Sequence, residues 1–457
     1  MTIIEGIAER IGAIGYAGLP PEAVRSAKMA VLDTVGVTLA GANEECARIV
    51  GRVLGGGAGE CLIFGSERRA APLDAALING TAAHALDFDD VSDSLGGHPS
   101  APILPALFAL GEVLDCTERP VGGRDFIAAY VAGFETETRI GRGVHLHHYE
   151  KGWHPTATLG VFGAAAACAH LMGLDRVQTA QALAIAASLA AGIKANFGTM
   201  TKPLHVGHTA RSGLLAAMLA KEGFTANPAA LEHKQGFLQV FNGAGTFDAG
   251  KILKDWGQPY DIVRPGLAAK QHPCCGSTHP AIDAMLLLRA ENSLGHDIAP
   301  DKVARIDSWT HPRRLAHTDR PDPQSGLDAK FSVQYCLARA LLEGIIRLDH
   351  FEGEAFRDPA VRALMRRIHA APHPEDGEAL GAEVRVTFDD GRVIAQRVGV
   401  ALGRGPDNPL TPEALGAKFA DCAGRALPPV QVAEVQRLLL QLDEAASLRA
   451  VVAAIAA

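Results

Sequence analysis

Four short stretches hold most of the side chains that could move protons or grip small acids. The first runs His84-Ala-Leu-Asp87-Phe-Asp89-Asp90-Val-Ser-Asp93 and closes with His98-Pro99-Ser100. Asp87 and His98 stand at opposite ends of a loop containing Gly96-Gly97, which suits two groups converging. Asp89-Asp90-x-x-Asp93 also has the spacing of the Mg-binding signature of prenyl-transfer enzymes. Those sites need a second carboxylate-rich motif and an aromatic-lined pocket. The sequence has no such second motif, and aromatic residues make up only 5% of it. A capped, solvated loop is the plainer alternative for this cluster.

The second stretch is His145-Leu-His147-His148-Tyr149-Glu150-Lys151-Gly152-Trp153-His154-Pro155-Thr156. His145, His147 and His148 match no standard zinc spacing, so they are expected to be surface or core histidines. His154 differs. It precedes Pro155-Thr156 at the start of an apolar helix, where free backbone N–H donors favour an anion beside the imidazole. In the third stretch, Thr199 to His208, Lys202 comes just before the Pro203 that opens a small-residue helix. Helix starts favour acidic side chains, so a lysine there is either solvent-facing or committed to a carboxylate-bearing ligand. The fourth is Lys270-Gln-His272-Pro-Cys274-Cys275-Gly-Ser-Thr278-His279-Pro280. A cysteine beside lysine and histidine can exchange protons or act as a nucleophile. Two buried thiols are the competing reading.

These residues must be carried by helices for most of the chain. Helical periodicity is expected from Pro20-Pro21 to Gly41 and over about 73–86, 100–114, 124–139, 157–172, 176–192 and 207–222, with a histidine-rich loop bracketed by Gly141, Gly143 and Gly152. After Arg264-Pro265-Gly266 the pattern changes. Residues 302–309 read as a strand, and Val384, Val386 and Phe388 alternate up to Asp389-Asp390-Gly391-Arg392, a hairpin signal continued by Ile394, Val398 and Val400. The expected fold is mainly α: a helical domain from 1–266 and 405–457, with a smaller α+β domain inserted at 267–404. The cleft between them is the natural site.

The 457 residues are 48% hydrophobic and 21% charged, so the chain can bury a large core. A net charge of −8 argues against a nucleic-acid footprint. Eight scattered cysteines with no CxxC offer neither a zinc knuckle nor a cluster site, and reduced thiols in the cytoplasm are expected. The start MTIIEGIAERIG lacks a signal-peptide pattern. The apolar runs 159–172 and 180–193 contain polar residues and are expected to be buried core helices, with no membrane span. An interaction protein without catalysis would have no reason to place histidines and lysines at three helix starts.

Taken in order, HALDFDD…HPS (84–100), GWHPT (152–156), TKPLHVGHTARSGLLAA (201–217) and KQHPCCGSTHPAID (270–283) resemble the MmgE/PrpD family. FSVQYCLARALLEG (331–344) and GPDNPLTPEALGAKF (405–419) extend the match over nearly the whole chain. The resemblance implies an all-helical main domain, a smaller α+β lid domain, a homodimer, and no metal or organic cofactor. It also implies a small di- or tricarboxylate substrate, with bonds made or broken next to a carboxylate. Such chemistry builds an enolate-like dianion and needs cations over the carboxylates with a positioned base. By resemblance, Lys202 and Lys270 are the anchors, His98 and His154 the acid–base pair, and Asp87 orients a histidine. His205 and His317 are expected to contact substrate.

Three positions depart from the family's cis-aconitate decarboxylase. Cys275 stands where that enzyme has a histidine, and His317 aligns approximately with its tyrosine; Val91 replaces a threonine. These changes turn the expectation toward a hydro-lyase of the 2-methylcitrate dehydratase type. The alternative is an isomerase like iminodisuccinate epimerase, in which Cys275 would face a second base across the substrate carbon. The residues leave both open.

Overall fold

The computed structural model describes residues 1–54, 58–117, 119–291, 302–373 and 380–457. They form two compact units, one of residues 1–269 with 411–457 and one of residues 270–410. The chain is mainly α-helical.

The first unit is built on α1 (Pro21–Gly41), α2 (Pro72–Ala85), α3 (Ser100–Thr117), α4 (Gly123–Val144), α5 (Pro155–Thr158), α6 (Gly160–Met172), α7 (Arg176–Leu189) and α8 (Thr201–Lys221). Proline at the first helical position opens α1, α2 and α5, where its missing N–H costs nothing and its fixed φ fits the helix. Asp175 and Gln178 close a reciprocal capping box at the start of α7. The expected helices thus form, with ends shifted by a few residues. Two shifts matter. First, α8 begins at Thr201, so Lys202 lies inside its first turn and not before it. Second, the histidine-rich segment is not all loop: α4 runs to Val144, and His147–Glu150 makes a further helical turn.

Small residues set how closely these helices meet. α8 packs along α2, and a Cβ built on Gly80 would stand 2.9 Å from the Cα of Gly207. A Cβ on Gly207 would in turn overlap the carbonyl oxygen of Leu77. Ala164 to Ala167 on α6 are fully buried, and α6 packs on both α4 and α8. The close α2–α8 crossing brings the end of α2 against the start of α8. The stretch Pro155–Met172 is long and apolar enough to cross a membrane, longer than the run 159–172 suggested, but 89% of it is buried within the unit. A two-residue antiparallel pair, Cys61–Leu62 with Arg69–Ala70, had no signal in the sequence pattern.

The second unit is α+β. Its sheet comprises β1 (Val303–Thr310), β2 (Ile368–Pro372), β3 (Ala382–Phe388) and β4 (Val393–Val398) in the order β2-β1-β3-β4. β1 and β2 are parallel and the other pairs antiparallel. Ala382, Val384, Val386 and Phe388 turn one face of β3 into a core shared with α9 (His279–Glu291) and α11 (Val333–Glu343). Gly391, at φ 84°, supplies the left-handed residue of the β3–β4 turn. Val400, expected to extend that strand, lies past its end. The Asn408 amide donates to the carbonyls of Val400 and Ala401, which removes them from the ladder.

Candidate functional site

α2 ends at Ala85, and the polar loop begins at once. Asp87 takes a left-handed φ of 54°, a conformation that aspartate tolerates better than most residues and that marks local strain. The loop doubles back through the Ser92 N–H to Gly97 carbonyl bond (2.9 Å) and Gly96, also left-handed. Gly97 has to lack a side chain, because a Cβ there would stand 2.8 Å from the backbone nitrogen of Thr156. The His98 N–H then donates to Thr156 Oγ1 (3.0 Å), tying the loop to α5. The result brings the imidazole of His98 back onto the start of its own loop: Nε2 is 3.5 Å from Asp87 Oδ1.

Lys202, from the first turn of α8, donates its Nζ to Asp87 Oδ1 at 2.6 Å and stands 5.2 Å from the centre of the Phe197 ring. The carboxylate of Asp87 therefore explains a lysine at a helix start. One turn further along, His205 places Nδ1 3.2 Å from Nδ1 of His154. His154 packs edge-on to Phe197 at 4.9 Å and lies 5.6 Å, ring to ring, from His84. The anion-binding helix start expected beside His154 is not formed. α5 has only four residues, and the N–H groups of Ala157 and Thr158 are spent on the carbonyl of His154 itself.

Two members of the group were missed as partners of His98: His84 was only quoted in the motif, and Asp89 was weighed only within a magnesium-binding spacing. His84, in the last turn of α2, is buried and donates or accepts at Nδ1 with Asp89 Oδ2 at 2.8 Å; the same oxygen is 3.1 Å from His98 Nδ1. Burial pushes the His84 imidazole down to about 4. Burial alone would raise Asp89, but the imidazoles of His84 and His98 outweigh it and hold this carboxyl well below its usual range. Burial first, then the neighbouring His84 and Lys202, keep His154 neutral far below the ordinary histidine range. The available signal was the polar set Asn79, Thr81 and His84 within an otherwise apolar buried helix.

The prenyl-transfer spacing does not converge on one ion. Asp89 meets histidines, Asp90 meets the N–H and hydroxyl of Ser100, and Asp93 is exposed. One donor atom from each of His84, Asp87, Asp89 and His98 does lie within 4.8 Å of the others, a set that could hold a divalent cation. Lys202 already pairs with the Asp87 carboxylate, through Oδ1. The remaining histidines go elsewhere. His148 is buried between Asn242 Oδ1 and Thr158 Oγ1, each at 2.7 Å, whereas His145 is exposed.

Lys270, Cys275 and His317 belong to the second unit. They gather there around one turn: the Cys275 carbonyl accepts from the Thr278 N–H, and His317 on α10 (Pro312–Thr318) meets Ser277 Oγ at 3.0 Å. A Cβ on Gly276 would lie 3.8 Å from Lys270 Cε. Lys270 and Cys275 are both buried.

Within one helical unit, then, His84, His98 and His154 gather with Asp87, Asp89 and the Lys202 ammonium, groups of the kind that move protons. The chain belongs to the MmgE/PrpD family: residues 5–249 match the MmgE/PrpD N-terminal domain and residues 272–444 the C-terminal domain. It is 29% identical over 458 residues to the cis-aconitate decarboxylase of Homo sapiens, covering 97% of this chain and 92% of that protein. The Mus musculus enzyme of the same name is also 29% identical, over 93% and 88%. The 2-methylcitrate dehydratase of Cupriavidus necator is 25% identical, over 92% and 89%.

Proposed function

We propose that the protein is a lyase acting on a small tricarboxylate or dicarboxylate, a hydro-lyase of the 2-methylcitrate dehydratase type. The reading rests on the Lys202–Asp87–His98 constellation, with His98 Nε2 3.5 Å and Lys202 Nζ 2.6 Å from one Asp87 oxygen. Lys202, positioned by Asp87, pairs with a substrate carboxylate. His98 takes the proton next to that carboxylate, the electron pair left behind forms the alkene, and the β-hydroxyl departs as water with a proton from Cys275; the imidazolium that His98 becomes is flanked by Asp87 and Asp89. His154, kept neutral, donates a hydrogen bond to the oxygen on which charge develops, as a neutral imidazole can. Lys270, His317 and His205 are assigned to substrate binding and Cys275 to proton transfer. No metal or organic cofactor enters this scheme, and the active form is a cytoplasmic homodimer.

Decarboxylation is the second reading, favoured by the 29% identity to the mammalian cis-aconitate decarboxylases. Cys275, His317 and Val91 stand against it, since the decarboxylase resembled has histidine, tyrosine and threonine there. NMR of citrate-like and aspartate-like acids incubated with the protein in D2O separates the outcomes. Loss of hydroxyl with alkene formation supports the hydro-lyase. Release of carbon dioxide supports the decarboxylase, and deuterium uptake with inversion and no alkene supports an epimerase. If Lys202→Ala and His154→Ala both keep wild-type turnover, the site assignment is wrong.

A further inference from the structure

The scheme above gives no task to His84 and leaves Asp89 only as a charge beside His98, yet both are fully buried at its centre. Asp89 Oδ2 is shared by two imidazoles, His84 Nδ1 at 2.8 Å and His98 Nδ1 at 3.1 Å. The rings of His84 and His98 meet edge to face at 4.5 Å, so each limits how the other can turn. An ionised carboxylate only accepts hydrogen bonds, and a nitrogen held this close to it is stabilised when it carries the proton. On His98 the other nitrogen, Nε2, faces Asp87 at 3.5 Å, beyond hydrogen-bond range, and that Asp87 oxygen is already the acceptor of Lys202. His98 Nδ1 is at hydrogen-bond distance from Asp89 but off its axis, since it forms no aligned bond. Catalytic hydrogen bonds are commonly misaligned before substrate binds and tighten afterwards.

We propose that Asp89 is the positioning residue for His98. Its Oδ2, steadied by His84, takes the Nδ1–H of His98, so that Nε2 is the lone-pair nitrogen turned to the reacting carbon. When a C–H bond of substrate breaks, its electron pair stays on the carbon and passes into the enolate-like carboxylate. The proton goes to Nε2, and the resulting imidazolium donates through Nδ1 to Asp89 and through Nε2 toward Asp87. His84 donates its own Nδ1–H to Asp89, which fixes the shared oxygen between the two rings. Among the described residues its Nε2 has no hydrogen-bond partner, so no competing contact pulls the ring away.

The proposal deepens the reading of His98 as the proton carrier, and its test is independent of turnover. Protein labelled with 15N-histidine is examined by NMR at alkaline pH, with the His98 signal assigned by comparison with His98→Gln. The wild type should show His98 as the Nδ1–H tautomer. Asp89→Asn, which keeps the shape but can donate, should shift it toward Nε2–H and lower kcat about 10²–10⁴-fold, with KM within about threefold. His84→Gln should broaden or split the His98 signal and lower kcat less than Asp89→Asn does. An Nε2–H tautomer in the wild type, or an unchanged tautomer in Asp89→Asn, overturns the proposal even if every variant folds. Should no acid in the panel react with the wild type, the functional reading fails, and the tautomer result still decides this one.

Discussion

Asp89 and Asp90 are adjacent, both fully buried, and opposite in character. Asp89 faces His84 and His98 and is held well below the usual carboxylate range. Asp90 turns to the other side of the loop, where the Ser100 N–H and hydroxyl meet it and Tyr130 OH stands 2.6 Å from that hydroxyl. Burial pushes Asp90 up to about 8, because two neutral donors do not repay the loss of water. Glu137, whose carboxyl oxygens find no hydrogen-bond partner among the described residues, is held well above the usual carboxylate range by burial and by Asp90. One side of this dipeptide therefore favours the ionised form and faces the proposed site; the other favours the protonated form and faces the scaffold. Burial sets the stakes for a carboxyl, and its neighbours decide its charge.

The largest expected break in that contrast comes from the ionised side. His98→Ala or Lys202→Met should lower turnover of a reacting acid by about 10²–10⁴-fold, measured as kcat, while Asp90→Asn stays within a few-fold of wild type. Comparable losses from Asp90→Asn and His98→Ala would erase the distinction. Next in size is Lys418→Met. Lys418 Nζ binds Asp33 Oδ1 at 2.6 Å and the Phe88 carbonyl at 2.8 Å, both buried. Removing one partner of a buried pair costs about 3–5 kcal/mol, read from the shift in denaturant midpoint.

Mild acid should then weaken the fold through its buried histidines. His84 and His148 are pushed down to about 4 from an ordinary 6.5. Between those values the unfolded chain binds protons that the folded chain refuses, so stability falls as pH drops from 6.5 toward 4. Asp90 works in the opposite sense. Its folded form keeps a proton that the unfolded carboxyl loses above about 3.8, so its share of stability declines as pH rises toward 8. Asp90→Asn should flatten that decline by about 1.4 kcal/mol per pH unit, a change seen in urea melts at several pH values. The smallest effect concerns metal. Chelator should leave turnover unchanged, because Lys202 neutralises Asp87; activity lost to chelator and restored by a divalent ion would instead assign His84, Asp87, Asp89 and His98 to that ion.

Much of the architecture could be read from local rules. Proline starts and glycine or proline breaks mark the long helices, and Asp390-Gly391 marks the hairpin. Helix ends were less legible, because α8 gains its first turn from the Lys202 N–H reaching the Thr199 carbonyl, which periodicity does not encode. In the site, Asp87, His98, Lys202 and His154 stood out by residue type and position. His84 did not, and Asp89 did only as part of a metal spacing, since two imidazoles come to share its oxygen only across a folded loop. The partner of Lys202 was equally hidden: 115 residues separate it from Asp87, and only the α2–α8 crossing joins them.

Lys418 has a consequence for the order in which the molecule is made. The loop carrying Asp87 and Asp89 is encoded within the first quarter of the chain, yet Phe88, between them, is clasped by an ammonium 330 residues later, 3.9 Å above its ring and bonded to its carbonyl. During synthesis the helices around the loop can gather early, but the clasp arrives only with Pro412–Ala423. The loop therefore lacks this clasp until that helix has been made and packed, whatever order the earlier helices follow.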